Sequence, residues 1–194
     1  MSVEKMTTLF ACLTVVAAVI GIAAAGAAIV ARSRPGVEDF RQANATSIQL
    51  LATAIPLTAM LGSLYYSEIA HFPPCRYCWF QRIFMYSTAV IMVVAAVRRD
   101  RSIKPYAMTL TGIGGMISLY HVLLERNVVT ESSSCDPNNP CTLDWLGHKW
   151  GGWITIPSMA LVGFLATFAL LALLPGRDLT DHNQDEPIES MEEV

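Results

Sequence analysis

Five apolar stretches, each about as long as a bilayer is thick, limit what this chain can become. They occupy residues 9–31, 48–70, 79–97, 105–124 and 153–174, or 19 to 23 residues each. A helix needs about 20 residues to cross about 30 Å of hydrocarbon, and lipid leaves no unpaired backbone group satisfied, so each stretch predicts a spanning helix. The two-residue alternation of a membrane β-barrel is absent. The fold class expected is all-α, a polytopic bundle of membrane helices. A hydrophobic content of 53% with 15% charged residues agrees, since a soluble domain carries about a quarter charged residues.

Lysine and arginine orient the bundle. Arg98-Arg99-Asp100-Arg101-Ser102-Ile103-Lys104 holds four cations in seven residues, and Arg32, Arg34 and Arg41 lie between the first two stretches. If every stretch crosses, both links share one side, expected to be the cytoplasm. The N-terminus, the 125–152 loop and the start of the third stretch then face outward. The first stretch is read as a retained helix. Ala23-Ala24-Ala25 resembles a cleavage site, but the apolar run is about twice the length of a signal peptide's. Seven of the sixteen acids fall in residues 178–194, an expected disordered tail. The scattered basic residues offer no nucleic-acid footprint. Glycines 112, 114 and 115 and the alanines of the first stretch read as close helix packing.

Chemistry concentrates at Pro74-Cys75-Arg76-Tyr77-Cys78-Trp79-Phe80-Gln81-Arg82. Two cysteines at this spacing can close a small reducible ring, often with a depressed thiol pKa. Gln81 and Arg82 enter the apolar stretch without a spacer, and an arginine there costs a few kcal/mol unless it finds a partner or the interface. A second pair, Cys135 and Cys141, lies in a Ser-, Asn- and Pro-rich loop. Such a loop is expected to expose the pair, and thiol exchange requires access to the attacked sulfur. Structural disulfides are the plainer reading of both pairs. A four-cysteine zinc site is a weaker one, because the cysteines face an oxidising side. Cys12 is expected to be a buried small residue. Trp145, Trp150 and Trp153 suit an interfacial belt, and Glu68 and His71 read as interfacial residues. Few charges lie deep in the spans, which argues against a transporter.

Pro74-Cys75-x-x-Cys78-Trp79-Phe80-Gln81-Arg82-Ile83-x-Met85-Tyr86 resembles the signature of the DsbB family, particularly its BdbC-type branch. Ser118-Leu119-Tyr120-His121 and Pro140-Cys141 followed by Trp153-Ile154-Thr155-Ile156-Pro157 extend the likeness over about residues 48–174. The resemblance implies a four-helix core at 48–177, preceded by an extra transmembrane helix and cytoplasmic linker at 1–47 and followed by the tail at 178–194. It implies a cell-membrane thiol oxidase that reoxidises an extracytoplasmic DsbA-like thioredoxin-fold protein and passes the electrons to ubiquinone or menaquinone. Cys135 would form the mixed disulfide with that partner, Cys141 would complete the pair, and Cys75 and Cys78 would hand on the electrons, Cys78 nearest the quinone. Arg82 matches the family's quinone-proximal arginine, with Gln81 and His121 as further contacts. A vitamin K epoxide reductase-like enzyme and a non-catalytic protein with structural disulfides are the competing readings. The Cys135–Cys141 interval is shorter than in enterobacterial members, and the helix at 9–31 is additional.

Overall fold

The computed structural model describes residues 3–31, 35–130, 135, 139–146 and 152–176. The tail expected at 178–194 lies outside them, as do Trp150 and most of the serine-rich part of the loop. The described residues form six α-helices and no strand: α1 Val3–Ala31, α2 Pro35–Ala43, α3 Ala45–Leu64, α4 Arg76–Arg98, α5 Lys104–Glu125 and α6 Ile156–Leu173. All but α2 are long and apolar enough to cross a membrane. The polytopic helical bundle expected from hydropathy is what forms.

α6 is the central helix, packed against α1, α3 and α5, with α4 bridging α3 and α5. Gly114 of α5 faces the fully buried ring of Phe164 on α6, where an added Cβ would lie 2.3 Å from the ring. Gly21 of α1 similarly meets the backbone of Ala166, at 2.9 Å from a would-be Cβ. Small residues thus bring helix backbones together where lipid offers no hydrophobic drive. Thr53, Thr88, Thr111 and Thr167 are buried, each returning its hydroxyl to the carbonyl four residues earlier, so none of these four hydroxyls is left unpaired.

The helices alternate in direction, which sorts the bundle into an arginine end and a cysteine end. At the arginine end, Arg41 of α2 donates to the Leu173 and Leu174 carbonyls, and Lys104 donates to Leu174 as well. Cations on the unpaired carbonyls of a helix C-terminus also meet the negative end of its dipole. α4 stops at Arg99, whose φ of 53° is left-handed. At the cysteine end, a capping box between Thr155 and Ser158 starts α6, and the Thr155 hydroxyl donates to Glu125 at 2.7 Å, tying α6 to the end of α5. α3 continues as one π-helical turn, Tyr65–Ile69. There the Tyr66 hydroxyl donates to Thr7, and Phe10 packs on Gly62, pinning α1 against α3.

Candidate redox site

Cys75 starts α4 as its N-cap, with an extended backbone and a sulfur that accepts the Cys78 amide at 3.4 Å. An N-cap sulfur stands where unpaired amides and the helix dipole favour negative charge. One turn on, the Cys78 sulfur lies 2.9 Å from that of Cys75, both as thiols. The Cys75 thiol is held well below its ordinary pKa, first by the hydrogen bond from the Cys78 thiol. Burial opposes this, and His121 adds to it.

His121 of α5 is buried and joins three groups from different parts of the chain. Its Nδ1 lies 2.9 Å from the Gln81 amide nitrogen, which can only donate. The imidazole proton therefore sits on Nε2, 3.0 Å from the Cys141 carbonyl and 3.5 Å from the Cys75 sulfur. Gln81 orients the ring, and the ring faces both cysteine pairs.

Cys135 and Cys141 form a disulfide. The exposed loop pair expected from the sequence is instead buried: Cys135 is 9% exposed, Cys141 2%, and both cluster with Cys75. The cause is local. Asn139 reaches back to the Pro73 carbonyl, and His121 engages the Cys141 backbone, so the loop folds onto the start of α4. Disulfide bonding also removes the two ligands that a four-cysteine zinc site would need.

Arg82 does not reach for the headgroups. Its Nε and Nη2 donate to the Ser63 hydroxyl and carbonyl of α3, at 2.9 and 3.0 Å, and its guanidinium covers the Trp79 ring at 5.2 Å. The cation is thereby fixed beside a cavity of about 300 Å³ with a mainly apolar wall. Cys78, Gln81, Arg82 and Tyr86 of α4 line one side of it, and His121 borders it at the cysteine end. α1 supplies another wall through Leu13, Thr14, Ala17 and Ile20. No spacing or motif marks Ser63 or the α1 residues as neighbours of Arg82. Tyr86 could have been found, being one helical turn past Arg82 and two past Cys78.

Other expectations fare unevenly. Cys12 is exposed on α1, not buried, because its side chain falls on the helix face turned away from α3 and α6. Trp145 stacks on Phe72 with ring centroids 5.1 Å apart, while Trp153 is exposed beneath Arg126. Glu68 and His71 are exposed at the cysteine end.

Residues 45–174 match the family model described as "Disulfide bond formation protein DsbB". The chain belongs to that family. Among relatives, "Disulfide bond formation protein C" of Bacillus subtilis (strain 168) is 40% identical over 124 residues, covering 63% of this chain and 88% of the relative. "Probable disulfide formation protein C 1" of Bacillus anthracis is 41% identical over 108 residues, 55% of this chain and 76% of the relative. "Probable disulfide formation protein" of Oceanobacillus iheyensis is 36% identical over 132 residues, 67% and 90% of the two chains. No solved structure matches. Membership of the DsbB family implies an oxidoreductase activity in disulfide bond formation. The family match begins at the first residue of α3, so α1 and α2 lie outside it, although α1 walls the cavity.

Proposed function

We propose that the protein reoxidises a DsbA-like, thioredoxin-fold dithiol oxidase outside the cytoplasm and delivers the electrons to a membrane quinone. One observation carries the reading: Cys75 is packed against the loop disulfide on one side and hydrogen-bonded on the other to Cys78, which borders the cavity. Two dithiol pairs and an apolar cavity in contact make a continuous path.

The relay starts with both pairs oxidised. A partner thiolate attacks Cys135, the more exposed residue of the loop pair, and Cys141 leaves as a thiolate. Cys141 then attacks Cys75, breaking the Cys75–Cys78 bond and releasing Cys78 as a thiolate toward the cavity. The partner's second thiol resolves its mixed disulfide and frees Cys135. Cys135 displaces Cys75 from Cys141, and the loop disulfide is restored. Two electrons now rest on Cys75 and Cys78. His121 donates toward Cys75 and favours its departure as a thiolate.

The cavity suits a quinone by its donor set and its lining: an apolar wall, a fixed guanidinium and a buried amide. A membrane quinone, when bound there, supplies a two-electron, two-proton acceptor that returns Cys75–Cys78 to the disulfide. Arg82 would favour negative charge developing at its side of the cavity, an effect strengthened by low dielectric. Both ubiquinone and menaquinone carry the required ring and apolar tail. In this reading the protein lies in the cell membrane with its cysteines outside the cytoplasm, which the positive-inside bias of the cations at the arginine end supports. Residues 48–177 would form the catalytic unit, with 1–47 as the added helix and linker.

The test separates the two half-reactions. Cys135→Ser should lose the mixed disulfide with a reduced thioredoxin-fold partner while Cys75–Cys78 still forms. Cys78→Ser should retain partner contact and lose electron flow. Cys78→Ser protein turning over at the unmutated rate with quinone as sole acceptor would sink the relay.

A further inference from the structure

We propose that Tyr86 is a ligand-binding residue whose hydroxyl donates a hydrogen bond to a ring carbonyl of the quinone, at the deeper end of its site. The inference rests on the quinone reading of the cavity.

The hydroxyl of Tyr86 is buried and has no hydrogen-bond partner among the described residues. Buried hydroxyls are almost always paired, because leaving one unpaired forfeits its bonds to water. Tyr86 lines the cavity, so the missing partner has a place to sit. Two other buried polar atoms also stand alone, on Tyr65 and Asn139. Neither residue lines the cavity.

Position gives the hydroxyl its chemistry. Cys78, Arg82 and Tyr86 recur at four-residue intervals along α4 and so share one face. From Cys78 to Tyr86 the helix rises about 12 Å, and helical side chains lean back toward the N-terminus, which is the Cys78 end. The hydroxyl therefore stands between the depth of its own Cα and that of Cys78. A ring seated beside Cys78 and Arg82 would turn its far edge toward this hydroxyl. Arg82 is already committed to Ser63 on the α3 side, so a second, uncommitted donor deeper in the site would fix the ring's tilt. A carbonyl oxygen is the acceptor such a donor selects.

Tyr86→Phe removes the oxygen and little else. The full-length protein in lipid vesicles should be compared with this variant, using a short-tailed quinone isotope-labelled at its ring carbonyls. The variant's dissociation constant for that quinone should rise about two- to tenfold, the worth of one neutral hydrogen bond. The infrared band of one bound carbonyl should move toward its frequency in the free quinone. Without quinone, the variant's unfolding midpoint should be unchanged or higher, since an orphaned hydroxyl has been removed. Equal affinity and an unshifted band in both proteins would overturn the assignment while leaving the quinone site standing. A lower midpoint without quinone would show that the hydroxyl serves the fold instead. If the unmutated protein fails to bind the quinone, the site reading falls along with Tyr86.

Discussion

Replacing His121 by leucine keeps most of the bulk of a fully buried side chain and removes its one donor to Cys75 and Cys141. A hydrogen bond to a charged group is worth about 1.5–3 kcal/mol. At about 1.36 kcal/mol per pKa unit, its loss should raise the Cys75 thiol by about one to two units. The assay is the rate of alkylation of Cys75 against pH, resolved from Cys78 and Cys12 by peptide mapping, with the loop disulfide intact. In the unmutated protein the rate should hold well below the ordinary thiol value of about 8.5. The profile of His121→Leu should move toward that value, and His121→Gln, which keeps an N–H donor, should fall between. A depressed native pKa stabilises the reduced protein fully above about pH 8.5, and this is lost as pH falls through the native value. The gap in stability between the unmutated protein and His121→Leu should therefore open as pH rises from about 4 through the variant's higher native value, and stay constant above it. Superimposed alkylation profiles, from variants that retain the loop disulfide, would refute the role given to His121.

Substitutions at Arg82 and Ala17 probe the cavity. Arg82→Met loses both bonds to Ser63 and the charge, whereas Arg82→Lys keeps the charge without the planar fork. Quinone reduction should therefore be impaired more in Arg82→Met than in Arg82→Lys, and kinetics on inserted protein will tell whether the order holds. Ala17→Phe fills the cavity from the α1 side and should raise the apparent KM for quinone about fivefold or more. Val19→Phe, 62% exposed on the same helix and absent from the cavity wall, serves as the control that should not change it.

The spanning helices were legible because lipid demands one regular element of known length. Their ends were less so. α1 extends from Val3, several residues before its apolar run, and there Thr7 and Thr8 bond back to carbonyls of the same helix. α2 was missed: it is short, and Arg41 reads as a topogenic cation while also capping α6. Within the site, the local part was readable. Cys75, Cys78, Gln81 and Arg82 lie within two helical turns, where spacing alone gives the geometry. Contacts across the chain were not. His121 meets Cys75 over 46 residues, and Arg82 meets Ser63 over 19. Burial of the loop disulfide depends on Asn139 and His121 together, which composition cannot express; a turn-rich sequence suggested exposure instead.

In the proposed relay, electrons pass from the loop pair to Cys75–Cys78 and on to quinone. Its most direct test is acid-quenched thiol trapping of the four paired cysteines in vesicles, after addition of a reduced thioredoxin-fold partner under anaerobic conditions. Without quinone, Cys75 and Cys78 should accumulate as thiols while Cys135–Cys141 returns to the disulfide. With quinone, all four should return to disulfides, with one quinol formed for each partner disulfide. Cys75 and Cys78 remaining in one redox state under both conditions, while the partner is still oxidised, would contradict the account.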